Sequence, residues 1–176
     1  MPNWCENQLV ITEPMSDELR AYLKENGFSF AKIAPPDYPA EEDDQNFGII
    51  DAQVEAWGTK WDIPVEEESE ISQGLLDGDL VGFDTAWSPP CEAIRRLSDK
   101  FPTDHFRLLY SEPGMMFCGE SNFHDGIEDE TVFIQDSAEE FKKFITEEMG
   151  FEPWDDEDED EDEEEEEEVP ESEDPK

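Results

Sequence analysis

An unbroken run of 14 acidic side chains, residues 155–168, limits the part of this chain that can fold. Neighbouring carboxylates repel one another, and the run contains no apolar side chain whose burial could offset the entropy of ordering the backbone. Beyond Trp154, Val169 is the only apolar side chain. The sequence therefore predicts one folded domain, residues 1–154, followed by a disordered acidic tail, residues 155–176.

The charge of the chain determines the sign of its partners. With 52 acidic and 11 basic side chains, the formal charge is −41. Residues 1–154 alone hold 35 acidic against 10 basic side chains, which leaves −25 on the predicted domain. Such a surface repels DNA, RNA and anionic membranes, and it attracts basic proteins and cations. We therefore expect a basic protein partner, with nucleic-acid-binding proteins as one such class, and neither direct nucleic-acid binding nor membrane binding.

The cysteine pattern and the lack of targeting signals predict a cytoplasmic protein. No stretch approaches the ~20 apolar residues of a membrane span, and the first residues do not resemble a signal peptide. The cysteines (Cys5, Cys91 and Cys118) are odd in number, widely spaced and without a Cys-x-x-Cys pair. This spacing favours reduced thiols over a disulfide framework or a zinc site. We predict no metal site and no cofactor.

Periodicity and capping residues predict the elements of the first half. A strand over 8–12 precedes a helix over about 17–25, which Ser16 caps and Gly27 ends. A short strand over 28–33, a surface loop over 35–47 and a short helix over about 49–57 follow. Residues 63–71 and 80–87 are predicted as the arms of a long β-hairpin, because they flank Gly74 and Gly78. The acidic triplet 66–68 indicates that the first arm is an exposed edge.

In the second half, Ser88 and two prolines predict the cap and first turn of a helix that runs to about Lys100. Strands over 106–110 and 115–118 follow. Ser137 and Glu140 form a capping box for a last helix, which Gly150 ends. This order predicts an α+β fold: a ferredoxin-like antiparallel sheet built on a split β-α-β unit, with an extra strand, packed helices and a C-terminal helix.

Three tryptophan-bearing segments are candidate binding elements. They cover residues 3–7 (Asn-Trp-Cys-Glu-Asn), 57–62 (Trp-Gly-Thr-Lys-Trp-Asp) and 85–90 (Thr-Ala-Trp-Ser-Pro-Pro). Indoles beside small and polar residues are typical of a surface cleft. The alternative is that the indoles close the ends of the core while their polar neighbours satisfy turns. The candidate ligand- or partner-binding residues are Asn3, Trp4, Asn7, Trp57, Gly58, Thr59, Lys60, Trp61, Asp62, Trp87 and Ser88.

These segments, in this order, resemble the YubB-type ferredoxin-like family. A late pattern strengthens the resemblance, which then covers roughly residues 1–125: Tyr110-x-Glu112-x-Gly114-x-x-Phe117-x-Gly119. It implies a ferredoxin-like fold and a link to conjugative plasmids and phages, and it implies no established activity. The chain departs from the pattern at Glu13-Pro14, where glycine is expected, and at Ala56, where asparagine is common. The acidic tail also lies outside the family pattern.

Lys60 has three possible uses in a domain of this charge. It can pair with a neighbouring acid, make a cation–π contact, or anchor an anionic ligand between Trp57 and Trp61. The sequence leaves all three open.

No catalytic motif accompanies these segments. His105 and His124 are the only histidines, and nothing in the sequence brings either of them within reach of Cys118. Nucleophile-elbow, Walker and paired-histidine metal motifs are absent from the sequence. The acidic stretch 125–130 lacks the ligand spacing of an EF-hand. We therefore predict that the protein is not an enzyme.

Three functions compete. The first prediction is a non-enzymatic acidic interaction module that binds a basic protein, with the tail as solubiliser or as capture element. The second is a DNA-mimicking inhibitor of a host nucleic-acid-binding protein, since fixed charges on the domain can imitate a phosphate backbone. The third is small-ligand binding in a cleft lined by Trp57, Lys60, Trp61 and Trp87. A generally acidic proteome would also explain the charge of the domain.

Overall fold

The computed structural model describes residues 3–12, 14–38 and 45–152, and it places five strands and six helices there. In chain order these are β1 (Trp4–Ile11), α1 (Asp17–Asn26), α2 (Phe30–Ile33), α3 (Gln45–Trp57), α4 (Val65–Asp77), β2 (Val81–Ala86), α5 (Cys91–Lys100), β3 (Phe106–Glu112), β4 (Phe117–His124), β5 (Ile127–Gln135) and α6 (Ala138–Glu147).

The strands form one antiparallel sheet in the order β2-β1-β3-β4-β5. Both β2 and β3 are antiparallel to β1, so they are parallel to each other, and α5 connects them across β1. This is a split β-α-β unit, and the hairpin strands β4 and β5 widen the sheet beyond it. The predicted ferredoxin-like α+β fold with a C-terminal helix is confirmed.

The sheet separates two hydrophobic clusters, because successive side chains of a strand point to opposite faces. On one face, Leu9, Phe106 and Leu108 pack with apolar residues from α1 to α5. On the other face, Leu109 and Cys118 pack only with the C-terminal part of the chain, through Phe141, Phe144, Ile145 and Met149. The larger cluster lies between the sheet and five helices, and the smaller one depends on α6.

Capping residues begin the helices where the sequence predicts. The Leu19 amide donates to Ser16 Oγ at 3.1 Å, and Gly27, with φ of 74°, ends α1. The Glu140 amide donates to Ser137 Oγ at 3.4 Å at the start of α6. The predicted helix over 49–57 is also present and begins earlier, at Gln45.

The predicted strand over 28–33 is wrong, because residues 30–33 form the short helix α2. A carboxylate that is distant in sequence causes the difference. Asp62 accepts hydrogen bonds from the backbone amides of Phe30 (2.6 Å) and Ala31 (3.1 Å), which are the unpaired donors of a first helical turn. The alternating pattern of these residues is thus overridden by a tertiary contact.

The predicted hairpin arm over 63–71 is also wrong, because this segment opens helix α4. Its acidic triplet lies in the first turn, where carboxylates stabilise the positive end of the helix dipole. Ile71 and Leu75 face the core, and Gly78, with φ of 83°, ends the helix. Only the second arm is a strand, β2, and it pairs with β1.

The structure differs from the prediction at three further places. Ser88 does not cap α5, since its hydroxyl donates to the Gly58 carbonyl at 2.6 Å instead. Strand β4 begins at Phe117 and continues to His124, beyond the predicted 115–118. Strand β5 was not predicted.

None of the helices in the described ranges is long and apolar enough to cross a bilayer. The predicted acidic tail, residues 155–176, lies outside the described residues, as do residues 39–44 of the predicted loop.

Candidate functional site

Three exposed indoles lie at one end of the β1–β2 pair and form what we call the aromatic surface: Trp4, Trp61 and Trp87. Trp4 is opposite Ala86 in the register, and the Trp87 amide donates to the Asn3 carbonyl at 2.9 Å. Trp61 lies between α3 and α4, and its ring centroid is 5.9 Å from that of Trp4. Between 40% and 48% of each residue is accessible to solvent. The fold therefore brings one indole from each predicted segment to the same surface.

Hydrogen bonds fix the segment that carries Trp61. Thr59 Oγ1 donates to the Ala86 carbonyl at 2.9 Å, and Ser88 Oγ donates to the Gly58 carbonyl. Gly58 has φ of 84°, and a Cβ there would lie 3.1 Å from the Pro89 carbonyl oxygen. Glycine is required by both its conformation and the close approach. The loop is thus attached to the end of β2 without help from a partner.

Asp62 completes the attachment. Besides the two α2 amides, its carboxylate accepts from Ser29 Oγ at 2.7 Å and from the Ile63 amide at 2.8 Å. It therefore joins α2 to the loop before α4, and its lone pairs are already occupied.

Lys60 makes cation–π contacts. Its Nζ lies 4.4 Å from the ring centroid of Trp87 and 4.9 Å from that of Trp61. No ion pair of Lys60 is found within the described part of the chain. Of its three possible uses, the structure shows the aromatic contact.

Several predicted site residues are structural. Trp57 is 1% exposed, and its Nε1 donates to the Ala34 carbonyl at 2.8 Å, so the prediction that it lines a cleft with Lys60 is wrong. The Asn7 amide is also buried, and it donates to the Cys5 and Phe83 carbonyls and to Thr85 Oγ1. Buried polar groups need such partners.

Thr59 is likewise buried, so neither it nor Asn7 can contact a partner in this conformation. Asn3 is exposed, and its side-chain amide covers Gly114, where an added Cβ would lie 2.5 Å from Asn3 Nδ2.

A cleft of about 390 Å³ opens beside Trp4 and Trp61, which both line it, and we call it the acidic cleft. Its polar lining is dominated by three carboxylates: Asp62, Glu67 and Asp84. The pKa of Asp84 is raised above its ordinary value, because the carboxyl is partly withdrawn from water. Sequence reasoning missed Glu67 and Asp84. The available signal for Asp84 was its alternation with the buried residues Phe83 and Thr85.

Trp87 has an unfavourable backbone conformation, with φ of 71°. A large side chain in the left-handed region costs about 1 kcal/mol or more relative to glycine. We expect Trp87→Gly to leave the free energy of unfolding unchanged or to raise it by about 0.5–1 kcal/mol, since the lost indole is half-exposed. Urea unfolding followed by far-ultraviolet circular dichroism measures this. A loss of more than about 1 kcal/mol would mean that the contact with Lys60 outweighs the strain.

The histidines and Cys118 do not form a catalytic group. The rings of His105 and His124 stack with centroids 5.4 Å apart. Cys118 precedes His124 by six residues on β4, about 20 Å along an extended strand. Its side chain lies under α6, where burial raises the pKa of the thiol to about 11. Within residues 3–12, 14–38 and 45–152, no three His, Cys, Asp or Glu side chains are placed to hold a metal ion.

A family model described as the ferredoxin-like domain in Api92-like protein matches residues 57–174. The matched range contains Trp61, Trp87 and the three carboxylates of the acidic cleft, whereas Trp4 precedes it. The range also continues through the acidic run, which the sequence analysis placed outside the family pattern. Neither a curated protein nor a solved structure matches the chain.

Proposed function

The chain belongs to the family of ferredoxin-like domains in Api92-like proteins, and from this premise we propose that it is a non-enzymatic interaction module for a basic protein. The acidic cleft is the recognition site in this proposal. A Lys or Arg side chain of the partner enters the cleft beside Trp4 and Trp61 and meets the carboxylates of Glu67 and Asp84.

The proposal rests on the side chains that line the acidic cleft. Exposed indole faces attract cations through their quadrupole, and carboxylates beside them add Coulomb attraction and hydrogen-bond acceptors. Exposed aromatic residues are also enriched among the residues that dominate binding energy. Among the described residues neither Glu67 nor Asp84 forms an ion pair, so a cleft with these two acids and two indoles is suited to a guanidinium or ammonium group.

Lys60 supplies an internal precedent. Its ammonium already lies over Trp61 and Trp87, which shows that these rings accept a cation in this geometry. Because Lys60 and Trp87 are not among the residues that line the acidic cleft, the interior of the cleft remains negative. This lining disfavours the alternative of an anionic small ligand anchored by Lys60.

The sequence motifs support a proposal about the family relationship and its biological setting. The tryptophan segments support a YubB-type relationship and a link to phages or conjugative plasmids. On this view the partner is a basic host protein, and a nucleic-acid-binding protein has the required charge.

The proposal is tested by comparing full-length variants as immobilised baits in a lysate. We expect Trp61→Ala to weaken retention of a basic protein about tenfold, since losing a cation–π wall costs about 1–2 kcal/mol when the cation is desolvated. Phe133→Ala is the matched control, because Phe133 is 51% exposed on β5, at the opposite edge of the sheet. Affinities are then measured with the identified, purified protein.

A third variant distinguishes binding by the cleft from binding by the acidic run. In this variant the acids of residues 155–168 are replaced with serine and glutamine. Retention that survives Trp61→Ala but is lost in this bait would assign recognition to the acidic run instead of the cleft. Retention of acidic or neutral proteins alone would contradict the proposal as a whole. Displacement by DNA would identify a nucleic-acid-binding partner, as the mimicry alternative also requires.

A further inference from the structure

Strand β2 lies at an edge of the sheet, so one side of its backbone has no neighbouring strand within the described part of the chain. At the end of the strand the Ala86 carbonyl accepts from Thr59 Oγ1, so an added strand would pair with the residues before Ala86. Unpaired N–H and C=O groups of an edge strand are a template for another strand. In this strand no proline or lysine blocks such pairing. Gly82 leaves open space near the start of the strand, because the nearest atom to an added Cβ would be the Asn7 carbonyl oxygen at 3.9 Å.

A long groove follows this edge, and we call it the edge groove. It has a volume of about 760 Å³ and lies between α4 and the start of β2. Glu67 lines both the edge groove and the acidic cleft, so the two adjoin at this side chain. Together they extend from Asp79, before β2, to Ala86 at its end.

The helical wall of the edge groove is negative. Glu67, Glu70 and Asp77 recur at intervals that place them on one side of α4. The chain reverses at Gly78, so Asp77 lies near the start of β2 and Glu67 near its end. The carboxylates therefore line the groove along the direction that an added strand would take.

The opposite edge of the sheet is protected differently. The pairing of β4 with β5 contains a register shift between Glu120 and Ser121, and such irregularities interrupt edge pairing. On β2 the exposed carboxylate of Asp84 repels acidic strands and favours basic ones. The two edges are thus unequal, and the β2 edge is selective by charge.

We propose that an extended basic segment of the partner protein adds to β2 as a further antiparallel or parallel strand. Side chains of a strand alternate, so Lys or Arg at every second position, about 7 Å apart along the segment, face the carboxylates of α4. The end of the segment reaches the acidic cleft, where a basic side chain enters beside Trp4 and Trp61. The choice of a basic occupant rests on the proposed function, and the mode of binding goes beyond it.

Two peptides of equal charge test the mode of binding to the full-length protein. The first is a capped octapeptide of alternating lysine and valine, and the second is the same peptide with the backbone nitrogens of its four central residues methylated. Methylation removes hydrogen-bond donors and keeps the charge. We expect the first peptide to bind at least about tenfold more tightly, because two or more backbone hydrogen bonds are lost in the second. It should also slow amide hydrogen exchange at the alternate residues of β2 whose N–H groups point away from β1.

Charge variants test the wall of the groove. The double variant Glu70→Gln, Asp77→Asn is expected to weaken binding of the first peptide about fivefold. The control is Glu139→Gln with Glu147→Gln, on α6, which packs on the other face of the sheet and should leave the affinity unchanged. All four side chains belong to exposed residues, so folding is retained.

The outcomes separate the two proposals. Equal affinity for both peptides, with no protection of β2, would overturn strand addition and leave the basic partner intact. Failure of both peptides to bind would overturn both proposals. Protection of β2 that appears with rising protein concentration alone would show that a second copy occupies the edge, and it too would overturn the inference.

Discussion

Replacing Asp62 with alanine is expected to lower the free energy of unfolding by about 3 kcal/mol. The carboxylate accepts hydrogen bonds from the amides of Phe30, Ala31 and Ile63 and from the Ser29 hydroxyl. Hydrogen bonds to a charged acceptor are worth about 1.5–3 kcal/mol each, and several donors would be left without a partner. Urea unfolding of the full-length protein, followed by circular dichroism, measures the change.

Asp62→Asn is the matched control, since it keeps one acceptor oxygen and the size of the side chain. We expect it to lose about half as much stability as the alanine variant. Equal losses would show that the negative charge itself is what α2 requires. A loss below about 1 kcal/mol in the alanine variant would contradict the assignment of Asp62 as the residue that replaces the predicted strand by a helix.

Trp57→Ala is expected to destabilise the protein by about 4 kcal/mol, whereas Trp61→Ala should cost less than about 1 kcal/mol. Trp57 is fully buried beside Phe30, and it hydrogen-bonds to the Ala34 carbonyl. Removing it leaves a large cavity and an unpaired acceptor. Trp61 is 40% exposed, so its truncation creates no cavity. The same unfolding experiment compares the two.

Comparing these two variants also distinguishes an effect on binding from an effect on stability. A Trp61→Ala protein that unfolds as easily as Trp57→Ala would make its binding defect uninterpretable and would place Trp61 in the core. A stable Trp61→Ala protein with unchanged affinity for the partner would remove the acidic cleft from recognition.

Local signals predicted the elements that local contacts determine. Ser16 and Ser137 cap helices through amides three residues away, so the sequence contains both members of each contact. The split β-α-β order likewise follows from α5 and the strands beside it. These parts of the ferredoxin-like fold could be read from spacing alone.

The wrong segments depend on contacts across the chain or on an overlooked signal. Residue 62 caps residues 30 and 31, a separation that no local pattern reveals. For α4, the acidic first turn and the spacing of Ile71 and Leu75 indicate a helix, whereas Gly74 and Gly78 favour a turn. Burial of the apolar side chains decides for the helix. For β5, the preceding Asp125–Gly126 turn has φ of 48° and 72°, which is a hairpin geometry with a known dipeptide signature.

The candidate site was predictable in part. Tryptophans among polar residues indicated surface positions, and Trp4, Trp61 and Trp87 are exposed together. The sequence could not show which of Trp57 and Trp61 is inside, because both have the same kind of neighbours. Glu67 and Asp84 were missed because their proximity requires the true structure of α4 and its return to the sheet edge.

The dependence of the smaller cluster on α6 has a mechanical consequence. Residues 109 and 118 are covered by α6 and the residues that follow it, and α6 is the last helix of the described residues. Tension applied to the chain beyond residue 152 would reach α6 before any strand of the sheet. It would detach this helix from the sheet while the larger cluster, between the sheet and the other five helices, remained packed. A partner that pulls on the C-terminal part would thereby uncover a second apolar face without unfolding the first.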